Sequence, residues 1–121
     1  MKEKQRNWSL KDRLVGEELN AIQFVMDYLQ VHFNAKGFTF YIWPSLNINN
    51  DIYEFGHIDY RNKLCEFIEK VVSDVYILDD ILIIEFEKGD RIQLNLDPNN
   101  PKIVSEIAIF WDEDGSWAVF D

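Results

Sequence analysis

The sequence predicts an α+β domain made of two antiparallel three-stranded β-meanders, one central helix and a C-terminal hairpin. Three observations lead to this prediction. Apolar and polar side chains alternate on both sides of a glycine-containing turn between Asp79 and Asp97, as expected for a hairpin with one buried face. A similar alternation occurs in the first third of the chain, and an apolar stripe with helical spacing lies between the two regions.

The later hairpin is the most strongly patterned part of the chain. Its loop, Glu87-Lys88-Gly89, fits a type I turn in which Gly89 supplies the left-handed residue. A register that puts like faces together follows from this loop length. The predicted cross-strand pairs are Ile84 with Ile92, Leu82 with Leu94, and Glu85 with Arg91.

The earlier meander is predicted from alternation beginning near Ile22. A tight turn at Met26-Asp27 leads to a second strand that ends at Phe33, and the four-residue loop Asn34–Gly37 leads to a third. The predicted pairs across that loop are Phe33 with Phe38 and Val31 with Phe40.

The two meanders match approximately when the chain is shifted by 53 positions. Ile22 then falls on Val75, and Leu29 falls on Leu82, while the turn Met26-Asp27 falls on Asp79-Asp80. We therefore expect an approximate internal duplication.

The halves are joined by an Asn-rich loop from Pro44 to His57 and a helix from Asp59 to Lys70. Asp59 suits the helix N-cap. The predicted apolar stripe consists of Tyr60, Leu64, Phe67, Ile68 and Val71. After the break at Pro98–Pro101, the segment from Ile107 to Phe120 predicts a hairpin with a turn at Asp112–Gly115.

Composition divides the chain into residues 1–13, a polar and basic N-terminal arm, and residues 14–121, a single domain. The chain has 121 residues and a net charge of −10, of which the arm contributes +3 and the remainder −13. A strongly acidic surface repels phosphate backbones and speeds association with basic proteins, although it also keeps small proteins soluble. We expect no nucleic-acid partner.

The cysteine count and the hydropathy pattern bear on the compartment. The chain has one cysteine, Cys65, which excludes an internal disulfide and favours a reducing compartment. Neither a signal peptide nor an apolar run of the roughly 20 residues that span a bilayer is evident. A cytoplasmic location and no membrane partner are therefore expected.

Residues that commonly carry chemistry are few. Cys65 follows Arg61 by one helical turn, which can lower a thiol pKa, but its apolar neighbours favour a core position. His32 alternates out of the core face of its strand. Asp79-Asp80 favours a turn over acid–base catalysis, and Asp112–Gly115 lacks the distal ligands of a calcium loop. No catalytic residue, metal site or cofactor is predicted.

Aromatic side chains bordered by carboxylates form the most suggestive surface. Tyr41 and Trp43 alternate away from the predicted core, and Trp111 and Trp117 flank the last acidic turn. Such surfaces suit contact with a basic protein. The alternative is a second small core, if another segment covers this face of the sheet.

Several segments carry a family resemblance. They are Leu29–Phe33, Trp43-Pro44, the helix Tyr60-Arg61-Asn62-Lys63-Leu64-Cys65, and Leu82–Gly89. From Gly16 onward, the chain resembles a group of small acidic bacterial α+β proteins with a Tyr-Arg-x-x-Leu-Cys helix, similar in kind to the immunity proteins that neutralise polymorphic toxins. The resemblance implies structural roles for Tyr60, Arg61 and Cys65, with Arg61 tied to Glu18 or Asp74.

These observations lead to the hypothesis of a non-enzymatic immunity protein that covers a basic toxin domain, as a monomer or a homodimer. The alternative is a small-molecule-binding or enzymatic domain with a pocket between helix and sheet near His32, Cys65 and Tyr41. The predicted partner-binding residues are Asp79, Asp80, Glu85, Glu87, Trp111, Asp112, Glu113, Asp114 and Trp117.

Overall fold

A computed structural model describes residues 2–3, 9–97, 99 and 106–120, the first pair by backbone alone. Within these residues the chain forms eleven strands and two short helices, so it is mostly β. The strands are β1 Lys2–Glu3, β2 Ala21–Val25, β3 Tyr28–Phe33, β4 Lys36–Phe40, β5 Ser45–Ile48, β6 Asp51–Tyr53, β7 Val72–Leu78, β8 Ile81–Phe86, β9 Arg91–Asn95, β10 Ala108–Trp111 and β11 Trp117–Phe120. The helices are α1 Leu10–Leu14 and α2 Tyr60–Cys65.

The strands form two antiparallel sheets. One has the order β1-β11-β10-β4-β3-β2, and the other has the order β6-β5-β9-β8-β7. The inward-facing side chains of both sheets form one hydrophobic cluster, in which the rings of Phe33 and Phe86 stack with centroids 6.4 Å apart. Residues 41–44 carry the chain from β4 in the first sheet to β5 in the second. The described chain is therefore mostly antiparallel β-sheet with two short helices, where the sequence predicted one longer central helix.

The β8–β9 hairpin has the predicted register. Ile84 pairs with Ile92, and Glu85 lies opposite Arg91. Gly89 adopts the expected positive φ of 91°, and Lys88 also does so at 73°. The C-terminal hairpin is likewise confirmed, since β10 and β11 pair from Ala108–Phe120 to Trp111–Trp117.

The predicted register of β3 and β4 was wrong by two residues. Phe33 pairs with Lys36, and Val31 pairs with Phe38. The reason is a shorter turn, because Asn34 takes up a left-handed conformation with φ of 62° and closes the hairpin without Gly37. A shift of two residues keeps every side chain on its predicted face.

Gly37 is instead needed inside the sheet. A Cβ atom there would collide with the carbonyl oxygen of Val31 and lie 2.9 Å from the Trp111 ring. The glycine lets the indole of Trp111 lie directly over the β4 backbone.

The Asn-rich region was wrongly predicted to be a loop as a whole. It contains the β5–β6 hairpin, in which Ile48 pairs with Asp51 across Asn49 and Asn50. Both asparagines have positive φ, 52° and 69°, as in a type I′ turn. Short strands of four and three residues give too little alternation to be recognised from sequence.

Helix α2 ends at Cys65, five residues earlier than predicted. Asp59 occupies the N-cap position, but its side chain makes no capping hydrogen bond. Beyond the helix, Glu69 has a positive φ of 81°, and its N–H donates to the carbonyl of Leu19 at 2.7 Å. This tie to the segment before β2 replaces the last helical turns.

Residues 9–13, which the sequence assigned to the polar arm, contribute to the core. Ser9 caps α1 by accepting a hydrogen bond from the N–H of Asp12, and Leu10 and Leu14 are buried. Just after α1, the N–H of Gly16 donates to Val72 at the start of β7. The sequence leaves open whether the arm is loose or pinned to the domain by Trp8, and Trp8 lies outside the described residues.

Candidate functional site

The predicted partner-binding residues do not form one surface. Asp79 and Asp80 form the turn that precedes β8, whereas Glu87 follows the opposite end of that six-residue strand, roughly 20 Å away at 3.3 Å per residue. The acidic turn Asp112–Asp114 lies beside Gly37 at the start of β4, while β4 ends near Tyr41. The predicted acidic residues therefore mark two ends of the molecule.

The carboxylates of the β10–β11 turn are engaged within the chain. Arg13 Nη1 on α1 donates to Asp112 Oδ2 and Asp114 Oδ2, both at 2.9 Å. Lys36 Nζ lies 3.7 Å from Asp112, whose side chain is only 6% exposed. The N–H of Ser116 and Arg13 stabilise the charged form of Asp114 and lower its pKa to about 2. This turn mainly holds α1 against the first sheet, and of its three carboxylates only that of Glu113 has no ion pair with another described residue.

Trp111 and Trp117 are partly exposed on the outer face of the first sheet, where they lie on paired positions of β10 and β11. The Trp111 ring meets His32 edge-on with centroids 5.6 Å apart, so His32 points out of the core as predicted. Glu85 lies on the outer face of the second sheet and accepts a hydrogen bond from Tyr76 Oη at 3.3 Å.

A cleft of about 790 Å³ opens at the other end of the molecule, where the chain crosses between the sheets. This is within the usual size range of ligand-binding sites. The described residues that line it are Tyr41, Ile42, Trp43, Pro44, Ser45, Glu54, Phe55, Asp79, Asp80, Ile81, Gln93, Asn95 and Asp97. We call it the acidic–aromatic cleft.

The aromatic side of the cleft is held by helix α2. Trp43 and Phe55 stack with centroids 4.4 Å apart and an interplanar angle of 21°. Tyr60 meets both rings edge-on, and its buried hydroxyl donates to the carbonyl of Pro44 at 2.5 Å. Burial raises the pKa of Tyr60, so the hydroxyl stays a donor. Trp43 thus packs against the edge of the core, contrary to the prediction that it points away from it.

The acidic side of the cleft comes from the β7–β8 turn and the end of β9. Asp79 and Asp80 both have positive φ, 50° and 61°. The Asp80 carbonyl accepts a hydrogen bond from the N–H of Leu96 at 2.7 Å, which fixes the turn against the chain leaving β9. Because β9 lies between β5 and β8, the turn and the Trp43 segment flank Gln93 and Asn95.

Four carboxylates line this cleft, from Glu54, Asp79, Asp80 and Asp97, and its described lining includes no Lys or Arg. None of the ion pairs among the described residues involves any of the four. The cleft is therefore a region of uncompensated negative charge beside exposed aromatic surface, since Phe55 is 52% exposed.

The residues considered for chemistry lie elsewhere. Tyr41 lines the cleft, but His32 and Cys65 do not, so this cleft is not the pocket near all three that the sequence suggested. The apolar neighbours of Cys65 predicted a core position, but its side chain is exposed. Arg61 stacks over the Phe24 ring at 5.4 Å, and Asp74 pairs with Lys11 at 2.9 Å, so the implied Arg61–Asp74 tie is replaced by other contacts.

Glu54, Phe55, Gln93, Asn95 and Asp97 were missed as site residues. Glu54 and Phe55 follow a hairpin that the sequence presented as a loop. Gln93 and Asn95 occupy ordinary polar positions of a strand. They differ from other polar or exposed residues only in lying close to Trp43 and Asp79, and the order of the strands sets that proximity.

Comparison of the chain with protein-family models, with curated proteins and with solved structures finds no match. In the described part of the chain, neither helix has the length and apolar character needed to cross a membrane.

Proposed function

We propose that this chain is a non-enzymatic binding protein for a basic protein, which docks over the acidic–aromatic cleft. The observation that carries the proposal is the set of four carboxylates that line the cleft without a Lys or Arg in its described lining. Attraction of a basic partner relieves the repulsion among these charges. The net charge of −10 acts in the same direction, because it increases the rate of encounter with a basic protein.

The proposed partner class is a basic bacterial toxin domain, which the chain would neutralise as an immunity protein. Small size, strong acidity and the resemblance carried by the Tyr60–Cys65 motif support this class. Helix α2 supports it structurally by anchoring the aromatic side of the cleft through Tyr60. His32 and Cys65 lie outside the cleft, which favours binding over catalysis as its role.

Affinity capture with matched variants tests this function. The immobilised chain is incubated with bacterial lysate and washed at low and at high salt, beside Asp79→Asn/Asp80→Asn and the control Glu87→Gln/Glu113→Gln. Both double variants remove two negative charges, but only the first alters the cleft. We expect a basic protein to be retained at low salt by the unmodified chain and the control, and to be lost from the cleft variant. Equal loss of the basic protein from both variants would show that retention depends on net charge and not on the cleft.

We also propose that the two halves arose by duplication. Strands β3 and β8 have the same length and are separated by the same 53 positions that relate their sequences. Each lies between its neighbours in the chain, in the order β2-β3-β4 and β7-β8-β9. Each is also preceded by a two-residue connection that ends in aspartate, Asp27 or Asp80.

A further inference from the structure

We propose that the partner inserts an arginine side chain into the acidic–aromatic cleft, with its guanidinium stacked on the Trp43–Phe55 pair and hydrogen-bonded to the Asp79–Asp80 turn. This inference rests on the proposed function and names the group that the cleft recognises. It follows from the charge of the cleft, the spacing of its two sides and the shape of the aromatic surface.

Charge requires the occupant to be cationic. Four carboxylates line the cleft, and among the described residues no cationic side chain pairs with them. The carboxylates are spread over the β7–β8 turn, the end of β9 and the segment after β6. In the described part of the chain, no three His, Cys, Asp or Glu side chains are grouped to hold a metal ion. An extended organic cation fits this spread of charge better than a small ion.

Spacing allows an aromatic contact and a carboxylate contact at once. The Trp43 segment leads into β5 and the Asp79–Asp80 turn leads into β8, with one strand, β9, between them. Two strand spacings separate the two backbones by roughly 10 Å. A guanidinium between the two sides can stack on a ring face and donate to a carboxylate. Gln93 and Asn95 also line the cleft from β9, and the amide oxygen of Asn95 already accepts a hydrogen bond from the N–H of Asp97 at 2.8 Å, which leaves that of Gln93 as the additional acceptor.

Shape favours arginine over lysine. A guanidinium is planar, sheds water more easily than an ammonium group, and stacks on aromatic rings while its N–H groups remain free to donate. The adjoining aromatic residue already binds one in this way, because the guanidinium of Arg61 lies 5.4 Å from the centroid of Phe24, which itself stacks on Trp43. Phe55 extends the same aromatic row into solvent.

Titration of the ¹⁵N-labelled chain with three capped tripeptides tests this inference. The peptides are acetyl-Gly-Arg-Gly-amide and its lysine and citrulline counterparts, and the Trp43 indole and the Gln93 and Asn95 side-chain amides report binding. We expect the arginine peptide to bind about fivefold more tightly than the lysine peptide. The citrulline peptide, which keeps the shape without the charge, should produce no saturable shift.

Two variants connect the binding to the two sides of the cleft. Asp79→Asn/Asp80→Asn should abolish saturable binding of the arginine peptide. Phe55→Leu, at a half-exposed position, should remove the preference for arginine over lysine. Glu87→Gln/Glu113→Gln should bind like the unmodified chain. Addition of Ca²⁺ should leave the arginine titration unchanged.

The outcomes separate this inference from the proposed function. Equal or tighter binding of the lysine peptide would overturn the assignment of arginine while leaving a basic partner in place. Binding of citrulline as tightly as arginine would overturn recognition of charge. Absence of any shift at the cleft, in a chain that captures a basic protein through Asp79 and Asp80, would overturn insertion. If the arginine peptide binds selectively in the titration but no basic protein is captured, the proposal of a protein partner would be overturned instead.

Discussion

Single residues hold the cleft in shape, and Tyr60 is the clearest case. Its side chain is almost fully buried, and its hydroxyl satisfies the carbonyl of Pro44 within the crossover between the sheets. Removal of that hydroxyl leaves a buried acceptor without a partner, a change that costs about 1–3 kcal/mol.

Tyr60→Phe should therefore lower the free energy of unfolding by about 1–3 kcal/mol in urea titrations. Tyr76→Phe is the matched control, because the Tyr76 hydroxyl makes a longer, part-buried contact with Glu85 and should cost less. Equal losses in the two variants would contradict a special role for the Pro44 contact.

At the scale of elements, α1 is attached by ion pairs as well as by its buried leucines, Leu10 and Leu14. Lys11 pairs with Asp74, and Arg13 pairs with Asp112 and Asp114. The pKa of Asp74 is lowered by Lys11, and the pKa of Asp114 is lowered from 3.8 to about 2 by the N–H of Ser116 and by Arg13. In the unfolded chain both carboxylates regain ordinary values, so between pH 4 and pH 2 the unfolded state binds more protons than the folded state.

Stability should therefore fall as the pH is lowered from 4 to 2 and be unaffected by these groups above pH 5. Urea unfolding at several pH values across this range measures the slope of the free energy of unfolding against pH. Asp114→Asn should flatten it, whereas Glu113→Gln, at the neighbouring exposed position, should not. An unchanged slope in Asp114→Asn would show that this carboxylate does not link folding to protons.

The β5–β6 hairpin depends on its two left-handed asparagines. Glycine adopts a positive φ without steric cost, whereas alanine does not, and a non-glycine residue in this region is disfavoured by roughly 1–2 kcal/mol. We expect Asn50→Gly to keep or raise the free energy of unfolding and Asn50→Ala to lower it by about 1 kcal/mol, as measured by urea titration. A stabilising effect of alanine would contradict the turn geometry.

The same elements show what sequence can predict. The β8–β9 register follows from long alternating strands with Gly89 between them, and the turn at Asp79-Asp80 was predicted correctly, while its role in partner binding stays a prediction. The β5–β6 hairpin was missed because its strands are too short for a pattern, and the β3–β4 register because Asn34, and not Gly37, closes the turn. The cleft was missed because it joins segments more than 50 residues apart, such as Tyr41 and Asp97, through the order of the strands.

At the scale of the whole molecule, negative charge is distributed unequally between the two ends. Near the β10–β11 turn, Arg13 and Lys36 compensate the carboxylates, so that end is tied to the fold. Around the cleft, the four carboxylates have no ion-pair partner among the described residues. The cleft end is therefore where a basic partner gains most by binding. Because such contacts between exposed charges are screened, binding should weaken as salt is raised toward 1 M, where the Debye length is about 3 Å.

Hydrogen–deuterium exchange with the captured basic protein, read by mass spectrometry, tests the central claim most directly. The account predicts slower exchange in residues 41–45, 54–55, 79–81 and 93–97 on binding, with residues 112–116 unchanged. Slower exchange confined to residues 112–116, with the cleft segments unaffected, would contradict it and place the partner at the opposite end of the molecule.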